Sequence, residues 1–370
     1  MIYLDNSATT PLAPEVIEAM AASFALFANP SSTHACGRGA KKLLEASRAV
    51  IAAAMSVRED EVVFTSGGTE SDNVAVFGVA NKKRGRRVVT TQVEHPAVSR
   101  AMDALEENGF EIIRVAPNRE GNVVLADICK AINSDTSLVS VMHVNNETGA
   151  IMPIERLKAE MTKLAPRALL HTDAVQSFGH VPFTPAKWGV DIASISSHKI
   201  HGPKGIGALY VAKGCVVHSP VYGGAQERGI RSGTENTLAA AGFAAAVKLI
   251  DLEDSKRVLE MKKRLCEGIM RIGGVHKNGG ENSSPYILNL SIEGVPGEVM
   301  LNALDARGIC VSSGSACAAA AKAASGTLKA MNAPYPKEAV RFSLSRYNTL
   351  EEIKETINAV VQTAAMYRRK

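Results

Sequence analysis

The 370-residue sequence lacks most of the features that mark membrane-bound, secreted or nucleic-acid-binding proteins. No apolar run approaches the length needed to cross a bilayer, and no basic segment followed by an apolar run resembles a secretory signal. Aromatic residues make up only 5% of the chain, so there is no aromatic surface for stacking on bases. These absences predict a cytoplasmic protein that binds neither membrane nor nucleic acid directly.

The sequence also has no large excess of either charge and no closely paired cysteines. The 42 basic and 37 acidic residues leave a net charge of +5, which is spread along the chain without long basic runs. The six cysteines contain no C-x-x-C pair. A disulfide framework and a structural zinc site are therefore not expected, and we predict no metal-binding residues.

Strand-like and helix-like segments alternate through the first two thirds of the chain. The predicted strands span residues 61–65, 87–91, 110–115, 136–142 and 168–172. This alternation indicates an α/β domain with a mostly parallel sheet, in which ligands collect at the carboxyl ends of the strands. After a long helical region at 234–272 the pattern changes to that of a smaller α+β domain.

Lys199 follows the apolar run 190–195, and a Gly/Pro-rich turn separates it from a second β-like run at 207–211. An amine at the end of a buried strand loses its proton easily, because burial disfavours the ammonium form. A neutral lysine amine can form a Schiff base with an aldehyde. An ordinary surface lysine in a hairpin loop is the alternative interpretation of this segment.

Polar residues follow several other predicted strands. The turn at 66–69 could bind a single phosphate through its free amides and the Thr69 hydroxyl, or it could be a plain turn. His95 could stack on an aromatic ring or move protons, or it could simply begin a helix before Pro96. Asp173 could pair with a protonated pyridine nitrogen and Gln176 with a ring hydroxyl, whereas a helix cap is the simpler role for Asp173.

Two residues in the last part of the chain have reactive or charged side chains in suggestive positions. Cys317 lies among glycine and small residues, so we expect an exposed loop on which a free thiol could act as a nucleophile. Arg341, on a predicted strand, could bind a substrate carboxylate or pair with a structural acid.

Together and in this order, the motifs resemble the cysteine desulfurases of the NifS/IscS type, which are fold type I pyridoxal-phosphate enzymes of the class V aminotransferase family. The resemblance rests on residues 3–11, 29–34, 65–73, 94–95, 143–149, 173–176, 196–205, 228–236 and 312–317. Each motif is modest alone, but their joint order is specific and covers nearly the whole chain.

The resemblance implies a fold and an assembly. The fold is α/β, with a large pyridoxal-phosphate-binding domain at residues 15–255 that contains a mostly parallel seven-stranded sheet. A smaller α+β domain, formed by residues 1–14 and 256–370, would carry the catalytic cysteine loop. The family also implies a homodimer and a sulfur-acceptor protein as partners.

The resemblance also assigns roles to residues. Lys199 would form the Schiff base with pyridoxal 5'-phosphate, Asp173 would pair with its ring nitrogen, Gln176 with its ring hydroxyl, and His95 would stack on the ring. The phosphate would be held by Gly68, Thr69, Ser196 and His198, with Thr234 reaching in from the second subunit. Asn146 would lie near cofactor and substrate, Asn29 and Arg341 would bind the substrate carboxylate, and Cys317 would accept the sulfur.

The implied activity is conversion of L-cysteine to L-alanine, with the sulfur passed as a Cys317 persulfide towards iron–sulfur clusters, thio-cofactors or tRNA thiolation. A selenocysteine lyase or another class V enzyme is the alternative within the family, although an aminotransferase has no need for a loop cysteine. A non-catalytic sulfur carrier with the same fold is the alternative from another class. The alanine-rich segment after Cys317 departs from the housekeeping members and leaves the acceptor open.

Overall fold

The computed structural model describes residues 1–80, 85–314 and 325–368. The strands are β1 (Ile2–Tyr3), β2 (Val62–Thr65), β3 (Arg87–Thr91), β4 (Glu111–Val115), β5 (Thr136–Ser140), β6 (Leu169–Asp173), β7 (Ile192–Ser196), β8 (Gly207–Val211), β9 (Val275–Lys277), β10 (Ile287–Ile292), β11 (Ile309–Cys310) and β12 (Ala339–Ser343). The α-helices are α1 (Pro14–Ser23), α2 (Ala35–Met55), α3 (Gly68–Ala80), α4 (Pro96–Glu107), α5 (Leu125–Ala131), α6 (Ile154–Leu164), α7 (Pro185–Trp188), α8 (Thr237–Lys248), α9 (Asp254–Met270), α10 (Gly297–Asp305), α11 (Gly326–Ala330) and α12 (Leu350–Tyr367).

The seven-stranded sheet has the strand order β2-β8-β7-β6-β5-β3-β4. Strand β8 pairs antiparallel with both of its neighbours, and the other adjacent pairs are parallel. Strands β2, β5, β6, β7 and β8 are buried along their whole length, as expected for a sheet that is covered on both faces. The α/β fold with a mostly parallel seven-stranded sheet is therefore confirmed.

The carboxyl ends of the parallel strands place the predicted site residues along one edge of this sheet. Asp173 is the last residue of β6 and Ser196 is the last residue of β7. His95 follows β3 and caps helix α4, where its Nδ1 atom accepts a hydrogen bond of 3.1 Å from the backbone N–H of Ala97. The cap explains why proline follows this histidine, since proline fits the first turn of a helix.

Two smaller sheets are built from both ends of the chain. Strands β9, β10 and β12 form an antiparallel sheet, and β1 pairs in parallel with β11. Most of their buried side chains belong to a hydrophobic cluster separate from the two that pack on the large sheet. This separation supports the predicted division into residues 15–255 and residues 1–14 with 256–370, which stays a prediction.

The predicted strands at 61–65, 110–115 and 168–172 are each shifted by about one residue at one end or both, and two predicted elements differ more. The strand expected at 136–142 ends at Ser140, because the backbone N–H of Met142 donates to the carboxylate of Glu94 instead of to a neighbouring strand. The helical region expected at 234–272 consists of α8 and α9 with a break between them, where the Asp251 side chain accepts the N–H of Glu253. Within the described part of the chain, no helix is long and apolar enough to span a membrane.

Candidate active site

A cavity of about 250 Å³ opens at the carboxyl ends of the parallel strands. Many of the residues that the sequence singles out line it, namely Gly68, Thr69, His95, Asn146, Asp173, Gln176, His198, Lys199 and Arg341. They come from separate parts of the chain that meet only in the fold. The arrangement agrees with the expectation that ligands of an α/β sheet bind beyond its strand ends.

Lys199 ends a short 3₁₀ turn that directly follows β7. Its Nζ atom donates a hydrogen bond of 2.8 Å to the carbonyl oxygen of Ala8 and another to the carbonyl oxygen of Ser7. Burial, helped by the positive charge of Arg341, lowers the pKa of Lys199 to about 8. A lysine in this state supplies a neutral amine near physiological pH, as carbonyl chemistry requires.

The carboxyl group of Asp173 is buried and accepts a hydrogen bond of 2.9 Å from the backbone N–H of Val175. Burial raises the pKa of Asp173 to about 6, and the nearby Asp72 carboxyl adds to the shift. Burial lowers the pKa of His95, against the opposing pull of Asp173. Because Nδ1 of His95 accepts a hydrogen bond, the neutral ring carries its proton on Nε2.

Arg341 lies on β12 with only 1% of its surface exposed, on the wall that the smaller sheets contribute. Its guanidinium donates to the Asn146 carbonyl oxygen at 2.9 Å and to the Asp5 carboxylate at 2.8 Å. The Nε atom has no hydrogen-bond partner among the described residues. Arg341 therefore pairs with an acid, as one of the two alternatives expects, while its contact with a substrate carboxylate stays a prediction.

A second, more open cavity of about 430 Å³ adjoins the first and shares Gly68, Thr69 and His198 with it. Ser196 lines it, and its buried hydroxyl lacks a hydrogen-bond partner within the described ranges. Helix α3 begins here at Gly68, so its first backbone N–H groups lie free for an anion. A methyl group on Gly68 would lie 2.7 Å from Cγ2 of Val175, which explains the need for glycine.

Among the described residues, two of the predicted site residues line neither cavity. Asn29 is exposed, and its side chain accepts a hydrogen bond of 2.9 Å from the backbone N–H of Ser31. Thr234 is exposed on the loop that follows β8. Cys317 lies outside the described residues. The roles predicted for these three residues stay predictions.

The cavity also contains residues that the sequence analysis did not single out. These are Ser7, Ala8, Asp72, Met142 and Val175. Ser7 and Ala8 act through backbone carbonyl groups, which have no signature in the side-chain pattern. Asp72 did have a signal, because it is an acidic residue beside the buried apolar run of Val74, Ala75 and Val76 on α3.

Asp72, His95 and Asp173 form a tight group in which one oxygen or nitrogen atom from each lies within 4.8 Å of the others. Such a spacing could hold a metal ion, so the prediction of no metal ligand stays untested. The same group also suits an organic cation, because a buried carboxylate needs a positive partner.

Comparison with known proteins places this chain in a family. The model for "Aminotransferase class-V" matches residues 2–356. The chain is 42% identical to "Cysteine desulfurase IscS" of Dictyoglomus turgidum over 97% of this chain and 93% of the relative. Among solved structures it is similar to a "NIFS-LIKE PROTEIN" with a TM-score of 0.93, at 36% identity and 99% coverage of both chains.

A second solved structure is "SspA in complex with cysteine", with a TM-score of 0.84 and 31% identity over 94% of this chain and all of the other. The range matched by the family model includes both walls of the cavity, from the segment of Ser7 to β12. The chain therefore belongs to the class-V aminotransferase family, in the branch of the cysteine desulfurases of the IscS and NifS type.

Proposed function

We propose that the protein is a pyridoxal-phosphate-dependent cysteine desulfurase that converts L-cysteine to L-alanine and transfers the sulfur to its own Cys317. The observation that carries the proposal is the meeting of Lys199 and Asp173 in one cavity. A buried amine with a lowered pKa and a buried carboxyl with a raised pKa are both costly for the fold. A ligand with an aldehyde and a cationic ring nitrogen would suit both groups, because the aldehyde can react with the Lys199 amine and the ring nitrogen can pair with the Asp173 carboxylate.

The residues present fit this cofactor. Lys199 would carry it, Asp173 would pair with its ring nitrogen, and Gln176 would approach its ring hydroxyl. The partnerless Ser196 hydroxyl, the start of α3 at Gly68 and Thr69, and His198 form a cradle for one phosphate group. When bound, pyridoxal phosphate supplies an electron sink for the bonding electrons released at the α-carbon of the substrate.

The chain's own residues supply binding and proton transfer. Arg341 can bind the substrate carboxylate from the cavity wall, where its Nε atom has no partner among the described residues, and Asn146 lines the cavity beside it. The Lys199 amine, with a pKa of about 8, can take a proton from the substrate and return it at neutral pH. His95, whose neutral form carries its proton on Nε2, is a second group able to move a proton.

Sulfur transfer needs a thiolate, and we assign it to Cys317. The Cys317 thiolate attacks Sγ of the substrate, a new S–S bond forms, and the substrate Cβ–Sγ bond breaks. Its electron pair stays on carbon, which takes up a proton to give alanine. Cys317 is left as a persulfide, from which an acceptor or a thiol reductant removes the sulfur.

The test is to measure alanine and sulfide released from L-cysteine in the presence of a thiol reductant. We expect equal amounts of both from the wild type and almost none from Cys317→Ala. Cys129→Ala, a half-buried cysteine on α5 that does not line the cavity, is the matched control and should keep full activity. Activity that survives in Cys317→Ala would contradict the assignment of the nucleophile.

We further propose that the protein acts as a cytoplasmic homodimer and delivers sulfur to an acceptor protein. Exposed aromatic side chains support a partner surface, since Phe27 is 84% and Tyr222 is 93% exposed. Tyr222 and Thr234 lie on the same loop, the one expected to enter the second subunit. Sedimentation of the purified protein should give twice the chain mass, and a monomer would contradict this part of the proposal.

A further inference from the structure

Asp72 is a buried acid on the cavity wall for which the proposed chemistry has no use. It lies on α3, is 1% exposed and lines the cavity together with Asp173. Its Oδ1 atom has no hydrogen-bond partner in the described part of the chain. A buried carboxyl oxygen that lacks a partner is costly, so its presence beside the site calls for a physical reason.

The groups that face Asp72 come from the neighbouring sheet and from the start of α4. On β6 they are His171, whose Nε2 lies 3.5 Å from Oδ1 of Asp72, and Asp173. Near α4 they are His95 and the buried Glu94, whose pKa the Asp72 charge helps to raise.

His171 cannot neutralise Asp72 as a cation. It is fully buried, and burial lowers its pKa to about 4. Its two ring nitrogens lie 2.8 Å from the Ser140 hydroxyl and 3.1 Å from the Ser194 hydroxyl. The imidazole is therefore a neutral, fixed neighbour, and the charge near Asp72 is predominantly negative.

Two carboxyl groups this close in a buried site do not both ionise at neutral pH. Burial raises the pKa of Asp72 to about 7, against the opposing influence of the Ser194 hydroxyl. Asp173 alone of the pair receives a backbone N–H, which stabilises a carboxylate. The negative charge therefore belongs on Asp173 and the proton on Asp72.

We propose that Asp72 is a positioning residue that holds the proton of a carboxyl pair with Asp173, so that the single negative charge of the pair is fixed on Asp173. The inference rests on the proposed function, in which Asp173 meets the cationic ring nitrogen of the cofactor. Asp72 touches no reacting atom in this scheme and acts through Asp173.

The first test compares the affinity for pyridoxal phosphate of the full-length wild type with that of Asp72→Asn, Asp72→Ala and Asp173→Asn at pH 7. Asparagine resembles a protonated aspartate, so Asp72→Asn should bind within about threefold of the wild type, whereas Asp173→Asn should lose at least about tenfold. Asp72→Ala should lose affinity that Asp72→Asn retains. Equal losses in both Asn variants would mean that Asp72 also carries negative charge and would overturn the proposal, as would an Asp72→Ala variant with unchanged affinity.

The second test detects the proton held by the carboxyl pair from the pH dependence of protein stability, without using cofactor binding. The unfolded chain has an ordinary aspartate with a pKa near 4, whereas the folded pair keeps a proton up to about pH 7. Unfolding then releases a proton, so wild-type stability falls as pH rises through this window. Relative to Asp72→Asn, the wild-type unfolding constant should rise by up to about tenfold per pH unit between pH 5 and 7.

Parallel pH profiles for wild type and Asp72→Asn would show that no proton is held, and would overturn the proposal. A wild type that fails to bind pyridoxal phosphate would contradict the proposed function instead, while the pH profiles would still decide whether the pair shares a proton. The two failures are therefore distinguishable.

Discussion

Replacing Lys199 by methionine should change how the stability of the cofactor-free protein depends on pH. In the wild type, burial lowers the pKa of Lys199 from 10.5 to about 8. Between these values the unfolded chain binds a proton that the folded chain does not, so wild-type stability rises with pH. Methionine has a similar length and no charge, so Lys199→Met should lose this rise.

The size of the effect follows from the two pKa values. Their difference corresponds to about 3 kcal/mol of stability that the wild type lacks at pH 7 and regains by about pH 10.5. The substitution also removes the two hydrogen bonds to Ser7 and Ala8, each worth about 1 kcal/mol. We treat those losses as independent of pH. The pH-dependent part of the difference in unfolding free energy between wild type and Lys199→Met therefore reports the buried charge of Lys199.

The assay is urea unfolding followed by circular dichroism at several values between pH 7 and pH 10.5, on protein freed of cofactor. Lys204→Met, an exposed lysine in the turn after Lys199, is the matched control and should follow the wild type. The buried Lys262, whose pKa is also lowered to about 8, is present in every variant and cancels. Identical profiles for wild type and Lys199→Met would refute the buried-amine reasoning.

Two further substitutions test the two ends of the cavity. Gly68→Ala should cost about 1–3 kcal/mol of stability and weaken cofactor binding, because its methyl group would lie 2.7 Å from Val175, whereas Gly39→Ala on α2 has room and should be tolerated. Arg341→Lys should raise the KM for L-cysteine by about tenfold or more with a smaller change in kcat, because lysine lacks the planar fork. An unchanged KM would contradict carboxylate binding by Arg341.

The sequence was a good guide wherever one local pattern decides the structure. Strands β3 and β8 have the predicted bounds, since a short run of β-branched and apolar residues between polar ones leaves little choice. Lys199, His95 and Asp173 were predictable because each stands at a strand end, where an α/β sheet collects ligands. Nothing local, however, brings Arg341 on β12 to the same cavity. Its place there depended on the family resemblance.

The parts that sequence reasoning missed depend on contacts between distant segments. Val141 and Met142 continue an apolar run, yet the backbone of Met142 turns to the carboxylate of Glu94, which lies 48 positions away. The partners of Lys199 are carbonyl oxygens in the segment of Ser7 and Ala8, and any residue type supplies a carbonyl. The sequence shows that the acidic Asp72 stands beside an apolar run, which is unusual, but only the fold shows that Asp173 is its neighbour.

The segment of residues 5–10 joins the lysine of the large sheet to the strands of the smaller one. Besides the bonds from Lys199, the backbone N–H of Ser7 donates to the Ser343 hydroxyl at 2.9 Å, and Asp5 pairs with Arg341. During translation, residues 5–10 are synthesised near the start and residues 341–343 near the end. The early segment cannot make its bonds to Arg341 and Ser343 until those residues have left the exit tunnel. The cavity is thus among the last features to be completed, and a nascent chain can build most of its large sheet before it is able to retain a cofactor.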